Sequence, residues 1–158
     1  MRQNLSWAVG YNATALPIAN ATCSMNGMVR LVRFVYGYIT PSLDPAPPRL
    51  LDLIERKSGD CKAYAMLVIA LARAAGVPAR EISGLLYLGD GDQAFGGHAW
   101  AEVVIDGVWV PVDASIPITQ LGGGHIRFGD GEAGLSAFSA LMAAGGMSVR
   151  VVDIEAMP

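Results

Sequence analysis

HAWAEVVIDGVWVPVD, His98 to Asp113, sets two runs of β-branched and aromatic residues on either side of an Asp106-Gly107 pair. A pair of that type between such runs specifies a type I′ hairpin, because both loop positions need φ > 0. With a two-residue loop Ile105 faces Val108, and counting back opposes Trp100 to Asp113 and His98 to Ser115. Side chains alternate along strands, so His98, Trp100, Glu102, Trp109 and Asp113 share one face. His98 and Asp113 are then diagonal neighbours, roughly 7–8 Å apart between backbones, a gap their side chains close. A carboxylate in that position holds one imidazole nitrogen, fixes the tautomer and leaves the other nitrogen free.

Upstream, SGDCKAYAMLVIALARAAGVPAR, Ser58 to Arg80, reads as a helix from Cys61 to about Ala75. Asp60 is its N-cap, Tyr64, Leu67, Val68 and Leu71 recur at helical spacing, and Gly76 with Pro78 ends it. Cys61 thus lies in the first turn, where unsatisfied amides and the helix dipole favour a thiolate. A cysteine alone more often fills space. A helix-start Cys, then a His and an Asp on one strand face, instead describe an activated thiol, its base and the group that orients the base.

Outward from these two segments the pattern divides into helices first and strands afterwards. Asn26 caps an expected helix from Met28 to Tyr38 with Val29, Val32, Val35 and Tyr36 on one face, and Pro41 stops it. PSLDPAPP, Pro41 to Pro48, is a stiff loop, followed by a short helix from Arg49 to Arg56. Beyond the Cys61 helix come a strand from Arg80 to Leu88, a polar loop and the hairpin. LGGGHIRFGDGEAG reads as a glycine-rich segment leading to a helix near Leu135 to Ala143, and Ser148 to Ile154 as a closing strand. This order specifies an α+β domain with the central helix against an antiparallel sheet. One domain covers residues 1–158, with an irregular or partly helical lead-in over 1–26 and core motifs over 58–115.

Composition narrows the chemistry. The chain has 158 residues, 53% of them hydrophobic and 16% charged, which fits a well-buried globular domain and not disorder. A net charge of −3 without a basic stripe argues against nucleic acid. The apolar run Ala63–Ala75 is interrupted by Arg73 and is shorter than the ~20 residues a bilayer needs, so no membrane association is expected. No continuous apolar segment resembling a secretory signal follows Met1, which favours the cytoplasm unless the chain is a domain excised from an exported protein. The Asn-Ala-Thr tripeptides at Asn12 and Asn20 are read as chance matches to a glycosylation acceptor. His98 and His125 with the distant Cys23 and Cys61 match no zinc spacing.

Gly59-Asp60-Cys61, the helix ending RAAGVPAR, and GHAWAEVVIDGVWVPVDAS together resemble the transglutaminase-like superfamily of papain-type cysteine enzymes, from Cys61 to Ser115 and more faintly back to about Val29. The resemblance implies a papain-like core, with Cys61 as nucleophile, His98 as general base and Asp113 as its carboxylate. It implies a cysteine-dependent amide hydrolase, of the cysteine-protease kind proposed for bacterial members, or an acyltransferase, acting through a thioester on a protein or peptide. It implies no cofactor and no metal. A non-catalytic binding or scaffold module is the alternative, although such modules usually lose a member of the triad and this chain keeps all three.

The backbone amide of Cys61 is an expected oxyanion donor. Family members often add an upstream aromatic or amide side chain, for which Tyr38 and Trp7 are the candidates. Metal binding by Cys61, His98 and Asp113 would need a fourth ligand that the sequence does not place nearby. His125 is expected at the cleft edge or in solvent, outside the catalytic set, and Glu55 and Glu102 as solvated charges. Cys23 is read as packing. Because a bridge would consume the expected nucleophile, denatured, unreduced protein should titrate with both thiols free, and a titration of zero would refute that expectation.

Overall fold

The computed structural model describes residues 24–47, 49–92, 94–116 and 121–143. Helix α1 spans Met25–Tyr38, one turn longer at its start than the sequence suggests. Its cap is Ser24, whose hydroxyl accepts from the Gly27 amide at 3.3 Å, and not Asn26. The added turn brings Met25 against the core. The buried stripe is Met28, Leu31, Val32 and Val35, while Tyr36 turns outward at 48% exposure. Tyr36 was expected inside; the heptad-like spacing of Met28, Leu31, Val32 and Val35 wins because it is the wider continuous apolar face.

After α1 the chain pairs briefly as β1, Thr40–Pro41, with β2, Ser58–Gly59, in a two-stranded parallel ribbon. Helix α2, Leu50–Arg56, lies between them, and the stiff proline segment leads into it. Helix α3, Cys61–Ala74, follows β2 directly. It buries Ala63, Tyr64, Ala65, Leu67, Val68 and Ala72, most of its circumference, because α1 and α2 pack on one side and the sheet on the other.

The sheet has strands β3, Ala79–Tyr87, β4, Phe95–Ile105, β5, Val108–Val112, and β6, His125–Asp130, in the order β5-β4-β3-β6, all neighbours antiparallel. Asp106 at φ 52° and Gly107 at φ 80° form the two-residue turn, and Ile105 pairs with Val108. The inward face of β4, including Ala101, Val103 and Ile105, joins Ala79, Val112 and Ala114 in one core with α1 and α3. Small residues on the sheet let α3 approach closely. The mixed architecture of helices on an antiparallel sheet is the α+β class expected.

Strand β6 stands where the glycine-rich sequence suggests a loop. Its glycines serve close packing instead of breaking the strand. A Cβ on Gly134 of α4, Gly131–Ala143, would strike the Gly129 carbonyl, and α4 packs on β6 and β3. The lead-in up to residue 23 and the expected closing strand, Ser148 to Ile154, lie outside the described residues.

Gly84 on β3 holds β6 in place. A Cβ there would collide with the Ile126 carbonyl oxygen and stand 2.7 Å from Trp100 Cη2. Gly84→Ala should therefore lower stability by about 1–3 kcal/mol, as overpacked sites do, measured as the urea midpoint at constant slope. An unchanged midpoint would show that β6 adjusts freely.

Candidate functional site

The position of Cys61 follows from a tight sequence of turns. Helix α2 ends at Lys57 in the left-handed conformation, φ 52°, whose amide donates to the Leu53 carbonyl at 2.8 Å. The ribbon then fixes the chain from both sides: Thr40 N donates to Lys57 O at 2.8 Å and Ser42 N to Gly59 O at 3.0 Å. Gly59 has to be glycine, since a Cβ would lie 2.6 Å from that of Ala63 in the first turn of α3. Asp60 Oδ1 accepts from the amides of Lys62 at 3.1 Å and Ala63 at 3.4 Å, a cap worth about 1 kcal/mol. Cys61 follows as the first helical residue, half-buried and with a free thiol. At the other end of α3 the Arg73 guanidinium donates twice to Ala79 O, at 3.0 and 2.8 Å, tying the helix to the start of β3.

The hairpin register brings His98 to Asp113. Nε2 of His98 lies 2.6 Å from Asp113 Oδ2. Strand β5 ends at Val112, so Ser115 does not pair with His98 as turn counting would have it. The chain turns instead, and the Ser115 amide and hydroxyl donate to Asp113 Oδ1 at 2.9 and 2.7 Å. Asp113 is 1% exposed. Burial favours its neutral acid, but the hydrogen bonds from His98 and Ser115 outweigh burial and hold the carboxyl below the ordinary carboxylate range. For His98 burial likewise opposes charge, and hydrogen bonds with Asp113 and Cys61 overcome it, raising the ring to about 9. The ring is an imidazolium at neutral pH. With Nε2 on the carboxylate, Nδ1 is the nitrogen left for the thiol.

A cleft of about 610 Å³ opens over Cys61. Pro41, Ser42 and Leu43 form one wall, Gly59, Asp60, Cys61 and Tyr64 the floor, and Gly97 and Ser115 the opposite side. Tyr64 is fixed by donating its hydroxyl to Ile39 O at 2.9 Å. Leu43 stands fully exposed on the lip.

Cys61, His98 and Asp113 are therefore together. Tyr38 is not among the residues that line the cleft, and its hydroxyl donates to Ile54 O at 3.1 Å. Trp7 lies outside the described residues, as does Cys23. Glu55 is exposed, as expected. Glu102 is not a solvated charge. It is 8% exposed and pairs with Arg80 at 2.7 Å and Arg127 at 3.3 Å, since the outer sheet face sets both guanidinium groups across it.

Of the two places expected for His125, the cleft edge or solvent, solvent is excluded, and the residue lies on strand β6 instead of in a loop. Its Nε2 lies 3.3 Å from Asp113 Oδ2, the same oxygen that His98 engages, and its side chain is 5% exposed. Its ring meets Trp100 edge-on at 5.3 Å and His98 at 5.7 Å. The available signal was the alternation in HIRF, where Ile126 and Phe128 flank Arg127, a period of two that marks a strand despite the preceding glycines.

Residues 12–114 match the family described as the transglutaminase-like superfamily. No curated protein sequence matches the chain. Among solved structures, a proposed cysteine protease from Cytophaga hutchinsonii superposes with a TM-score of 0.59 and 24% identity over 72% of this chain and 38% of its own. A TGase superposes with a TM-score of 0.51 and 18% identity over 66% of this chain and 30% of its own. The chain thus spans well under half the length of either, and at these identities the likeness is one of fold.

The His98 pair has a pH consequence. A ring raised from 6.5 to about 9 stabilises the folded state fully below pH 6.5, and that contribution is lost as pH rises to 9. Urea unfolding should show stability falling by roughly 3 kcal/mol at most between those limits. His98→Gln should flatten that slope; a wild-type slope of zero would mean the pair is not ionic.

Proposed function

Because the chain belongs to the transglutaminase-like superfamily, we propose that it is a cysteine-dependent amide hydrolase, of cysteine-protease type, working through Cys61, His98 and Asp113. The observation that carries the reading is the 2.6 Å contact of His98 with a buried carboxylate, beside a free thiol at the start of a helix in an open cleft.

In the proposed cycle the Cys61 thiolate adds to the carbonyl of a peptide or side-chain amide held in the cleft. His98, charged at neutral pH, delivers its proton to the departing amine as the tetrahedral adduct collapses to a thioester. The neutral ring then takes a proton from water, whose oxygen displaces the thiolate and releases the acid. A second amine in place of water gives acyl transfer, and the same residues serve both outcomes. Asp113 keeps the ring in the one tautomer that presents a nitrogen to sulfur, and its charge stabilises the imidazolium. The Cys61 amide, at a helix N-terminus, is the oxyanion donor. The cleft volume suits a short peptide segment, and its apolar lip at Leu43 favours an apolar side chain beside the scissile bond.

Acid-quenched protein incubated with casein peptides should carry a covalent acyl adduct on Cys61, seen by intact mass and peptide mapping. His98→Ala should cut amide turnover roughly 10²–10⁴-fold and slow alkylation of Cys61 by iodoacetamide at pH 6 about tenfold. No adduct, together with equal alkylation rates, would replace this reading with a non-catalytic binding module.

A further inference from the structure

The second imidazole on Asp113 has no part in the proposed cycle. Ligating atoms of His98, Asp113 and His125 lie within 4.8 Å of one another, Nε2 of each ring meeting Asp113 Oδ2, and the side chains of His98, Asp113 and His125 are 8%, 1% and 5% exposed. They come from β4, from the turn after β5 and from β6, on the far side of the sheet order, so the grouping is a product of tertiary structure. Trp100 packs against both rings, at 6.1 Å from His98 and 5.3 Å from His125, and keeps them facing the carboxylate.

We propose that these three residues form a binding site for a divalent transition metal, zinc above all, and that its occupation switches off the chemistry of Cys61. Two imidazoles and a carboxylate with an open fourth position form a ligand set zinc takes readily. Bonds of ~2.0–2.1 Å in a tetrahedron set donor atoms about 3.3 Å apart. The His125 to Asp113 separation of 3.3 Å already meets this, and the His98 to Asp113 separation of 2.6 Å has to open by about 0.7 Å to reach the same tetrahedral spacing. That opening accompanies the exchange of the proton between them for the metal. Ligation requires a neutral ring, so His98 releases its proton to solvent when its Nε2 lone pair binds the ion. A ring bound in this way keeps its Nδ1 proton but can neither take a second one from the thiol nor give this one to the leaving amine without becoming a metal-bound imidazolate, and the carboxylate that orients it is held by the same ion. Cys61 is not a ligand: the metal sits on the Nε2 side of His98, and the thiol faces Nδ1.

The binding half of this proposal stands apart from the function proposed above, and only the switching half rests on it. Equilibrium dialysis of the intact chain against zinc, read by elemental mass spectrometry, should give one ion per chain. Cys61→Ser should bind as tightly as wild type. His125→Ala should weaken binding more than 100-fold, since loss of an outer-shell partner alone costs 10–100-fold. His125→Gln, which keeps an amide donor for Asp113, should do the same while circular dichroism shows a folded chain. Cobalt in place of zinc should give tetrahedral visible bands without a sulfur charge-transfer band. Zinc should slow alkylation of Cys61 in wild type and not in His125→Gln. Failure of wild type to bind, binding unchanged in His125→Gln, or binding lost in Cys61→Ser would each overturn the site. One ion bound through His125 with no effect on alkylation would overturn the switch alone, and an inert thiol in metal-free protein would count against the proposed function and leave the metal site standing.

Discussion

The carboxylate of Asp113 constrains this molecule more than any other group. A nearly inaccessible charge is tolerated only where hydrogen bonds replace its water, and among the described residues four reach it: one from each of two histidines and two from Ser115. His98 reaches it through the hairpin, Ser115 through the turn after it and His125 through β6, so the full set forms only when all three are in place. The requirement is therefore a check on the assembly of half the sheet. If the strands paired one residue out of register, every side chain of β5 would reverse and the charge would face the aliphatic core.

The outer face of the sheet defends that register by other means. Trp109 of β5, Glu102 of β4, Arg80 of β3 and Arg127 with Asp130 of β6 form a continuous row across the four described strands. The Arg80 guanidinium lies 4.1 Å from the centroid of the Trp109 ring and contacts Glu102 through two nitrogens. It also meets Asp130 at 3.4 Å. An isolated exposed ion pair would contribute little, but here Glu102 is almost buried and Arg80 about a third exposed, so solvent screens the contacts less. The row adds cross-strand contacts that only one alignment satisfies.

Much of this was legible in the residue order because it is local. A two-residue turn with obligatory positive φ is specified by Asp106-Gly107, a cap by Asp60, and a helix end by Gly76, and each works over a few residues. From them the neighbourhood of His98 and Asp113 follows by counting. What was not legible depends on distant partners. The strand at His125 is stabilised by pairing with β3, where Gly84 makes room for it, and its own glycines suggested a loop. Glu102 looked solvated because nothing near it in sequence supplies its arginines; they stand on other strands. The Tyr38 hydroxyl could not be followed to Ile54, since α2 meets α1 only in three dimensions. Ser24 and Asn26 are both good caps, and the choice between them was made by the core contact of Met25.

The ribbon that carries the cleft wall has an evolutionary consequence. Pro41 to Leu43 hang from two backbone hydrogen bonds, Thr40 to Lys57 and Ser42 to Gly59, and neither depends on side-chain identity. The helix bearing the thiol is enclosed by α1, α2 and the sheet, whereas the wall from Pro41 to Leu43 is exposed or half-buried and can change side chains without entering that core. Selection can thus revise what enters the cleft while the thiol beneath it stays in its place, so lineages sharing this core are free to diverge in what they admit without rebuilding the helix under it.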